Sequence, residues 1–382
     1  MTRRATSVGS IVIYAGALMF LFGSAAPALA QVTSAAAPVP VASEARWEVE
    51  VHAGGAFGKA PTGGSPIGAF PVGDGFTTAG SRPSRYASTW YFGDGAALLN
   101  QIAAGFIVIP VVARVTPLDP VLTRASIERR RGRSLGVRLS RRVTPRLRVE
   151  FSADSLAGTV NLTDAALKGI EATRASFGPM WDGIIATGGG VLFANGSTSS
   201  IKTLVNGTHS RWTFLTGAAT FALSTGTRLV PYLTAGAGAR VRSGDLPTVT
   251  LTGNYQFRFL STAPFNESDV VKVHFAEQDT VPVGLFGGGV KYTLSSRQGL
   301  RIDVRVHLSP SSLDTLVDAH PSAVSGTPGF SISSATTPSL VFSNTSAPRS
   351  NLTGPAITDL KTFAGSGRDM RTSLTVGYFL RF

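Results

Sequence analysis

Charged residues of both signs alternate with apolar residues in several segments of the sequence, and their spacing suggests a network of ion pairs. Side chains at every second position of a strand lie on one face of the sheet, so each segment would present its charges to one side. Opposite charges on facing strands can then pair. We therefore predict an inward-facing charge network that includes Glu48, Glu50, Arg138, Arg148, Glu150, Asp303 and Arg305.

The turn between two of these segments predicts one specific pair. If Val143-Thr144-Pro145 forms a three-residue hairpin loop, Arg138 lies opposite Glu150 on the inner face. The alternative is that these residues are scattered charges on a solvated strand face, because alternation is easily found by eye.

Residues that could support catalysis or metal binding form no recognisable motif. The chain has no Gly-x-Ser-x-Gly elbow, no His-Glu-x-x-His helix and no metal-ligand spacing. Glycine triplets at 188–190 and 287–289 lack the Lys-Ser/Thr of a phosphate loop. We therefore predict no catalytic residue, no metal site and no cofactor, and assign a structural or surface role to the histidines, which are His52, His209, His274, His307 and His320.

The composition narrows the class of protein. The 382 residues include no cysteine, which excludes a disulfide framework, a thiolate metal site and a thiol nucleophile. The 43 glycines and the charged fraction of 15% suit a glycine-rich β protein better than a soluble helical one. The net charge of +13 would also fit a nucleic-acid partner, so the destination of the chain must decide.

Residues 1–30 have the three parts of a secretory signal peptide. Arg3 and Arg4 form the positive region, residues 11–22 the apolar core, and Ala28-Leu29-Ala30 the cleavage site. A membrane anchor is the alternative, but the apolar core is too short to span a bilayer. A twin-arginine signal is a second alternative, although Arg3-Arg4 lacks the usual hydrophobic residues after it. We predict export, a periplasmic linker at 31–45, and no nucleic-acid partner.

The rest of the chain has strand-like segments joined by connections of two lengths. Three connections are short turns, at 143–145, 225–228 and 296–299, and they alternate with long ones at 58–133, 158–208, 243–279 and 309–369. A transmembrane barrel produces this pattern, with short periplasmic turns and long outer loops. The predicted strands are Arg46–Phe57, Ser134–Val143, Arg146–Ala157, His209–Ser224, Leu229–Arg242, Thr280–Ser295, Leu300–Leu308 and Met370–Phe382.

The sequence therefore predicts an all-β fold over residues 46–382. Its architecture is an eight-stranded antiparallel up-and-down transmembrane β-barrel with long extracellular loops that contain short helices. An eight-stranded barrel is only wide enough for its interior to be filled by side chains. We predict helices at Asp94–Phe106 and Thr163–Phe177, with Asp94 and Thr163 as caps, and expect the fourth loop, 311–367, to be extended or mobile.

The last strand has a distinctive end. Tyr378, Leu380 and Phe382 share one face, and the chain ends on the aromatic residue. This end resembles the closing strand of small eight-stranded bacterial outer-membrane proteins of the OmpA and OmpX kind, although the loops here are much longer. The resemblance implies that Phe382, Leu380 and Tyr378 form the signal read by the barrel assembly machinery, and that the protein resides in the bacterial outer membrane.

The densest basic run falls where the first long loop enters the second strand. At the outer face of the membrane it would meet the phosphates of lipopolysaccharide, and the alternative is a solvated charge run. Its members are Arg129, Arg130, Arg131 and Arg133. We expect a non-catalytic protein that presents large surface loops for binding, adhesion or envelope stability, with an unknown extracellular ligand. A narrow porin for small solutes is the first alternative, and an enzyme acting on lipids at the rim the second.

Overall fold

The computed structural model describes residues 46–58, 63–67, 75–76, 84–85, 89–104, 111–187, 193–259, 265–323, 330–332, 340–342 and 357–382. The predicted signal peptide and the linker at 31–45 lie outside these residues. The helices are α1 (Gly93–Ala104), α2 (Asp119–Leu122) and α3 (Asp164–Thr187). The strands are β1 (Trp47–Gly58), β2 (Gly64–Pro66), β3 (Gly75–Phe76), β4 (Ser84–Arg85), β5 (Ile127–Arg129), β6 (Gly132–Arg142), β7 (Leu147–Leu162), β8 (Phe193–Val205), β9 (Thr208–Ala222), β10 (Leu229–Gly244), β11 (Thr248–Phe259), β12 (Phe265–Glu277), β13 (Thr280–Thr293), β14 (Gln298–Pro310), β15 (Leu313–Ala323), β16 (Phe330–Ile332), β17 (Leu340–Phe342), β18 (Ile357–Gly365) and β19 (Arg368–Arg381).

Eight of these strands close into an antiparallel barrel. The order around the barrel is β1, β6, β7, β9, β10, β13, β14 and β19, and β19 returns to pair with β1. The short strand β5 pairs with β7 beyond the end of β6. Successive strands are neighbours throughout, so the predicted all-β, eight-stranded, up-and-down barrel is confirmed.

The strand boundaries follow the alternation of polar and apolar residues. Each barrel strand agrees with its predicted segment within two residues at both ends, except β7, which continues to Leu162. In β1, Glu50 is 2% exposed and the next residue, Val51, is 56% exposed. Polar residues therefore face the lumen and apolar residues face outward, which is the reverse of the arrangement in a soluble barrel.

The outward face of the barrel is an apolar belt. Large apolar side chains on successive strands remain exposed, among them Val51, Leu135, Phe151, Ile302 and Val376. Leaving a continuous apolar surface in water costs about 25 cal/mol per Å². A belt of this kind is the surface that a transmembrane barrel presents to lipid.

The long connections build a second sheet at one end of the barrel. Its order is β2-β18-β15-β12-β11-β8, and helices α1, α2 and α3 accompany it. We call this sheet with the three helices the cap. The barrel strands run almost directly into it, since β12 ends at Glu277 and β13 begins at Thr280. The sequence prediction of long loops with short helices missed this sheet.

The predicted helices differ from the observed ones mainly in length. The helix α1 agrees closely with Asp94–Phe106, whereas α3 extends ten residues beyond the predicted end at Phe177. The Thr163 hydroxyl accepts a hydrogen bond from the Ala166 amide, as expected of a cap. Pro179 lies inside α3, but burial of Met180 and Trp181 favours continuing the helix past it. No helix among the described residues is long and apolar enough to cross a membrane.

The described parts of the fourth loop are extended, as one alternative predicted. They are the cap strands β15 and β18, together with the small hairpin of β16 and β17. Alternate residues of β15, such as Val317 and Ala319, are fully buried. The high content of Ser, Thr and Pro hid this alternation in the sequence.

Candidate functional site

The charge network in the lumen begins with the register of the second hairpin. Arg138 pairs with Ser152 and Glu150 pairs with Ser140, so the predicted direct opposition of Arg138 and Glu150 is wrong. The three-residue loop lies one residue later than predicted, at 144–146, because the Val143 amide donates to the Leu147 carbonyl. The shift is two residues, and a shift of two keeps every side chain on its predicted face.

Three cations surround Glu48 in the layer nearest the short turns. The Arg148 guanidinium lies 3.2 Å and the Arg381 Nε lies 3.1 Å from the Glu48 Oε2. The Lys291 ammonium donates to the Oε1 of the same carboxylate. Glu48 comes from β1, Arg148 from β7, Lys291 from β13 and Arg381 from β19, so this carboxylate links four strands across the lumen.

Arg138 is held between two carboxylates in the middle layer. Its Nη1 lies 2.7 Å from Glu50 Oε1 and 2.6 Å from Asp303 Oδ2. The Thr375 and Tyr232 hydroxyls also donate to Asp303, at 2.8 and 3.0 Å. These side chains are almost inaccessible to solvent, and the ion pairs and hydrogen bonds among them offset the cost of burying the charges.

Glu150 is satisfied from the opposite side of the barrel. Arg301 Nη1 lies 2.8 Å from Glu150 Oε2 and 3.0 Å from Glu50 Oε2, and Arg305 Nη2 lies 2.5 Å from Glu150 Oε1. The set predicted from the sequence omitted Arg301 and Lys291. Arg301 lies on the inward face of β14 together with Asp303 and Arg305, and Lys291 lies on the inward face of the neighbouring strand β13. The same alternation of polar and apolar residues identifies both.

A glycine leaves room for one of these carboxylates. A Cβ on Gly377 would lie 2.4 Å from Glu50 Oε1 and 2.9 Å from its Cδ. Gly377 faces His52 across the β1–β19 pair, so the missing side chain is what allows Glu50 to reach Arg138 and Arg301. The glycine is therefore part of the network, although it carries no charge.

His52, Asp154 and Ser152 lie together above the middle layer. The His52 Nε2 is 2.5 Å from Asp154 Oδ1, and the Ser152 hydroxyl donates to Asp154 Oδ2 at 2.9 Å. In a nucleophilic triad the serine must bond to the histidine, whereas here both residues bond to the carboxylate. All three side chains are buried in the lumen, so the arrangement is suited to packing and not to substrate access.

A second charge cluster closes the barrel where it meets the cap. The Arg240 guanidinium lies 2.6 Å from Asp369 Oδ2 and 3.0 Å from Glu277 Oε1. Arg129 reaches the same two carboxylates, each at 2.8 Å, and Arg371 packs over the Trp212 ring at 3.6 Å. The cluster was not predicted from the sequence, because its residues come from the ends of strands that meet only in the folded chain.

The basic run after the first long connection is divided by the fold. The Arg129 side chain is 4% exposed and turned into the junction with the cap, so it does not share the surface expected of the run. Arg130, Arg131 and Arg133 are exposed at the outer side of the barrel. Arg131 lies over the ring of Phe57, 5.8 Å from its centre.

The cap has its own aromatic core. The Trp181 and Tyr255 rings stack with centroids 4.0 Å apart and planes 4° apart, and Trp90 Nε1 donates to the Tyr255 hydroxyl at 3.0 Å. Tyr91 stacks on Phe177 at 4.9 Å. Burial raises the pKa of the Tyr91 phenol. The core joins α3 and β11 to the segment just before α1, so the cap is a packed unit and not a set of independent loops.

One group of side chains in the cap has metal-ligand chemistry. His274, Asp318 and Asp359 bring ligand atoms within 4.8 Å of one another. They already bind each other, with His274 Nε2 at 3.0 Å from Asp359 Oδ1 and His274 Nδ1 at 3.6 Å from Asp318 Oδ2. Their wide separation in the chain explains why no spacing motif revealed them.

The predicted assembly residues lie where the barrel closes at the short-turn end. The Phe382 amide donates to the Trp47 carbonyl and the Trp47 amide to the Phe382 carbonyl, each at 3.1 Å. Tyr378, Leu380 and Phe382 all project outward and are 43, 48 and 66% exposed. They lie on the apolar belt, at the end where an aromatic girdle is expected.

Comparison with known proteins adds only broad likenesses. No protein-family model and no curated protein matches the chain. Among solved structures it is similar to the outer membrane protein OprG from Pseudomonas aeruginosa, with 9% identity over 87% of this chain and 96% of that chain and a TM-score of 0.34.

Two further likenesses are weaker. The P. putida toluene transporter TodX shares 10% identity over 88% of this chain and 90% of its own, with a TM-score of 0.17. The Ralstonia pickettii toluene transporter TbuX shares 10% over the same fractions, with a TM-score of 0.18. At TM-scores this low, the description of the fold rests on the strand pairing of the chain itself.

Proposed function

We propose that the protein is an integral outer-membrane barrel that holds its cap at the cell surface as a non-catalytic binding module. The observation that carries this proposal is that the long connections assemble into one sheet with its own aromatic core, on a barrel whose lumen is filled by paired charges. A folded cap on a barrel with a filled lumen is better suited to presenting a binding surface than to letting solutes pass. Surface binding, adhesion and envelope stability are the functions that suit it.

Residence in the outer membrane is supported by two features. The apolar belt needs a lipid environment, and residues 1–30 have the pattern of an export signal. In the proposed orientation the short turns face the periplasm and the cap faces outward. The barrel assembly machinery would then read Tyr378, Leu380 and Phe382 at the periplasmic end.

The exposed arginines beside the cap support a contact with lipopolysaccharide. Arg130, Arg131 and Arg133 lie at the level where lipid phosphates would be in this orientation, and guanidinium groups bind phosphate through paired hydrogen bonds. Arg129 is left out of this proposed contact because its side chain is bound to Glu277 and Asp369.

Conductance in planar bilayers tests anchor against pore. We expect the purified full-length protein to give no stepwise current, because Arg138, Arg301 and their partners fill the lumen. The charge-neutral double variant Glu150→Ala with Arg301→Ala removes two side chains of this filling and should leak. Stepwise conductance of the unaltered protein would instead support the narrow porin.

A further inference from the structure

The mouth of the barrel at the short turns is a cavity of about 490 Å³. It opens between the turn residues Pro145, Thr225 and Ser296, and Tyr232 lies at its inner end. The Tyr232 hydroxyl is bonded to Asp303 and Arg301, so the charge network closes the inner end. We call this cavity the vestibule. Its size lies within the range of small-molecule sites, which is roughly 300 to 1,000 Å³.

Among the residues that the structure describes, those lining the vestibule include five basic residues and no acidic one. Beneath its lining lies Glu48, whose carboxylate already binds Lys291, Arg148 and Arg381. Arg142 and Arg146 have no carboxylate partner among the described residues. Five cations against one carboxylate leave an excess of four positive charges, and the lining cations are Arg142, Arg146, Arg148, Lys291 and Arg381.

Hydroxyl groups complete the lining. Thr220, Thr227 and Thr293 lie around the same cavity. A concave surface of one charge sign focuses its field on an anion that enters, and repulsion between the cations is relieved when the anion binds. Guanidinium groups and hydroxyls together match the many acceptor oxygens of phosphate.

We infer that the vestibule binds a small anion that carries phosphate groups. The blind inner end makes this a binding site and not an entrance to a channel. The phosphate can belong to a soluble anion or to the headgroup of an anionic lipid, since both present the same oxygens to the five cations. The inference goes beyond the proposed function, because it concerns the mouth opposite the cap.

Isothermal titration of the full-length protein with pyrophosphate, in a zwitterionic detergent at low salt, tests the site. We expect saturable binding that weakens as salt is added. The double variant Arg142→Gln with Arg146→Gln should lose at least about tenfold in affinity, because it removes two guanidinium groups that would donate charge-assisted hydrogen bonds to the phosphate oxygens. The single variant Arg146→Gln, at an exposed turn position, should lose part of the affinity. It tests the site even if the double variant does not fold.

The matched control is Arg228→Gln with Arg297→Gln. These two residues lie in the other short turns at the same end of the barrel but do not line the vestibule. The control removes the same charge and should bind pyrophosphate as the unaltered protein does. Equal losses in both double variants, or no binding by the unaltered protein, would overturn the inference.

Nanodiscs distinguish the two sources of phosphate. If a lipid headgroup fills the vestibule, discs of phosphatidylglycerol should weaken pyrophosphate binding relative to discs of phosphatidylcholine, and only in proteins that retain Arg142 and Arg146. If the ligand is soluble, the affinity should be the same in both. Weakening that persists in the Arg142→Gln/Arg146→Gln variant would place the lipid elsewhere and contradict a lipid ligand in the vestibule.

Discussion

Arg138 is the side chain on which the middle of the lumen depends most directly. It is 2% exposed and lies between Glu50 and Asp303, at 2.7 and 2.6 Å. Removing one partner from a buried pair leaves the other charge unpaired, which costs about 3 to 5 kcal/mol. We expect Arg138→Ala to lower the free energy of unfolding by that amount, as measured by urea titration in detergent with a gel mobility shift as the readout.

The control for this variant is three residues further along the same strand. Arg141 is exposed and lies over the Trp47 ring, 5.4 Å from its centre, so Arg141→Ala should cost about 1 kcal/mol or less. Equal unfolding midpoints for the two variants would mean that the lumenal pairing contributes nothing to stability.

At the scale of single residues, the sequence predicted faces better than partners. The period of two placed Arg138, Glu150 and Asp303 correctly inside, because a face depends only on parity. Partners depend on where each turn lies, and a turn placed one residue too early moved the predicted β6–β7 register by two residues. The cross-lumen contact of Arg301 with Glu150 could not be predicted at all, since it needs the diameter of the closed barrel.

The end of the closing strand β19 should be needed for insertion of the barrel into the membrane. Deleting Phe382 removes an outward aromatic residue. It also removes the two backbone hydrogen bonds between Phe382 and Trp47, which join the chain end after β19 to the start of β1. Unpaired backbone groups in hydrocarbon cost several kcal/mol each. We expect less protein in the outer-membrane fraction, with export and signal cleavage unchanged. Phe382→Tyr keeps an aromatic end and should insert normally; normal insertion of the deletion would make the terminal pattern irrelevant to assembly.

The helix α3 should hold the cap together through its aromatic stack. Trp181 is fully buried and stacks on Tyr255 of β11, so Trp181→Ala should destabilise the cap by about 3 to 5 kcal/mol. Limited proteolysis should then cut the cap faster, while the gel shift of the barrel stays normal. Ile201→Ala, at an exposed position on β8, is the control and should change neither. Protease resistance in the Trp181 variant would show that the aromatic stack does not hold the cap.

Among the strands, the sequence predicted those of the barrel and missed those of the cap sheet. Alternation is present in β11, where Val249 and Leu251 are 1% exposed, but these residues fall inside segments too long for simple hairpins. The pairing of β12 with β15 and of β15 with β18 joins different connections, so no local signal predicts it. The helix predicted to end at Phe177 continues to Thr187, because burial of its later residues in the cap favours the longer helix.

For the whole molecule, the orientation in the membrane can be tested without background. The sequence holds no cysteine, so each introduced cysteine is a unique label site. We expect Thr203→Cys on the exposed cap strand β8 to react with a membrane-impermeant maleimide on intact cells. Ser295→Cys, exposed in a short turn, should react only after the outer membrane is permeabilised. The reverse pattern would invert the proposed topology.

The lumenal ion pairs join residues that are far apart in the chain, and this constrains the order of folding. Glu48 and Arg381 are 333 residues apart, and Glu50 and Arg301 are 251 apart. Contacts of such long range form late, because the entropy of closing large loops opposes them until most of the chain is in place. A half-built, open sheet would expose these unpaired charges to hydrocarbon, which penalises them heavily. Insertion and closure must therefore occur together, in one concerted step that waits for the last strand.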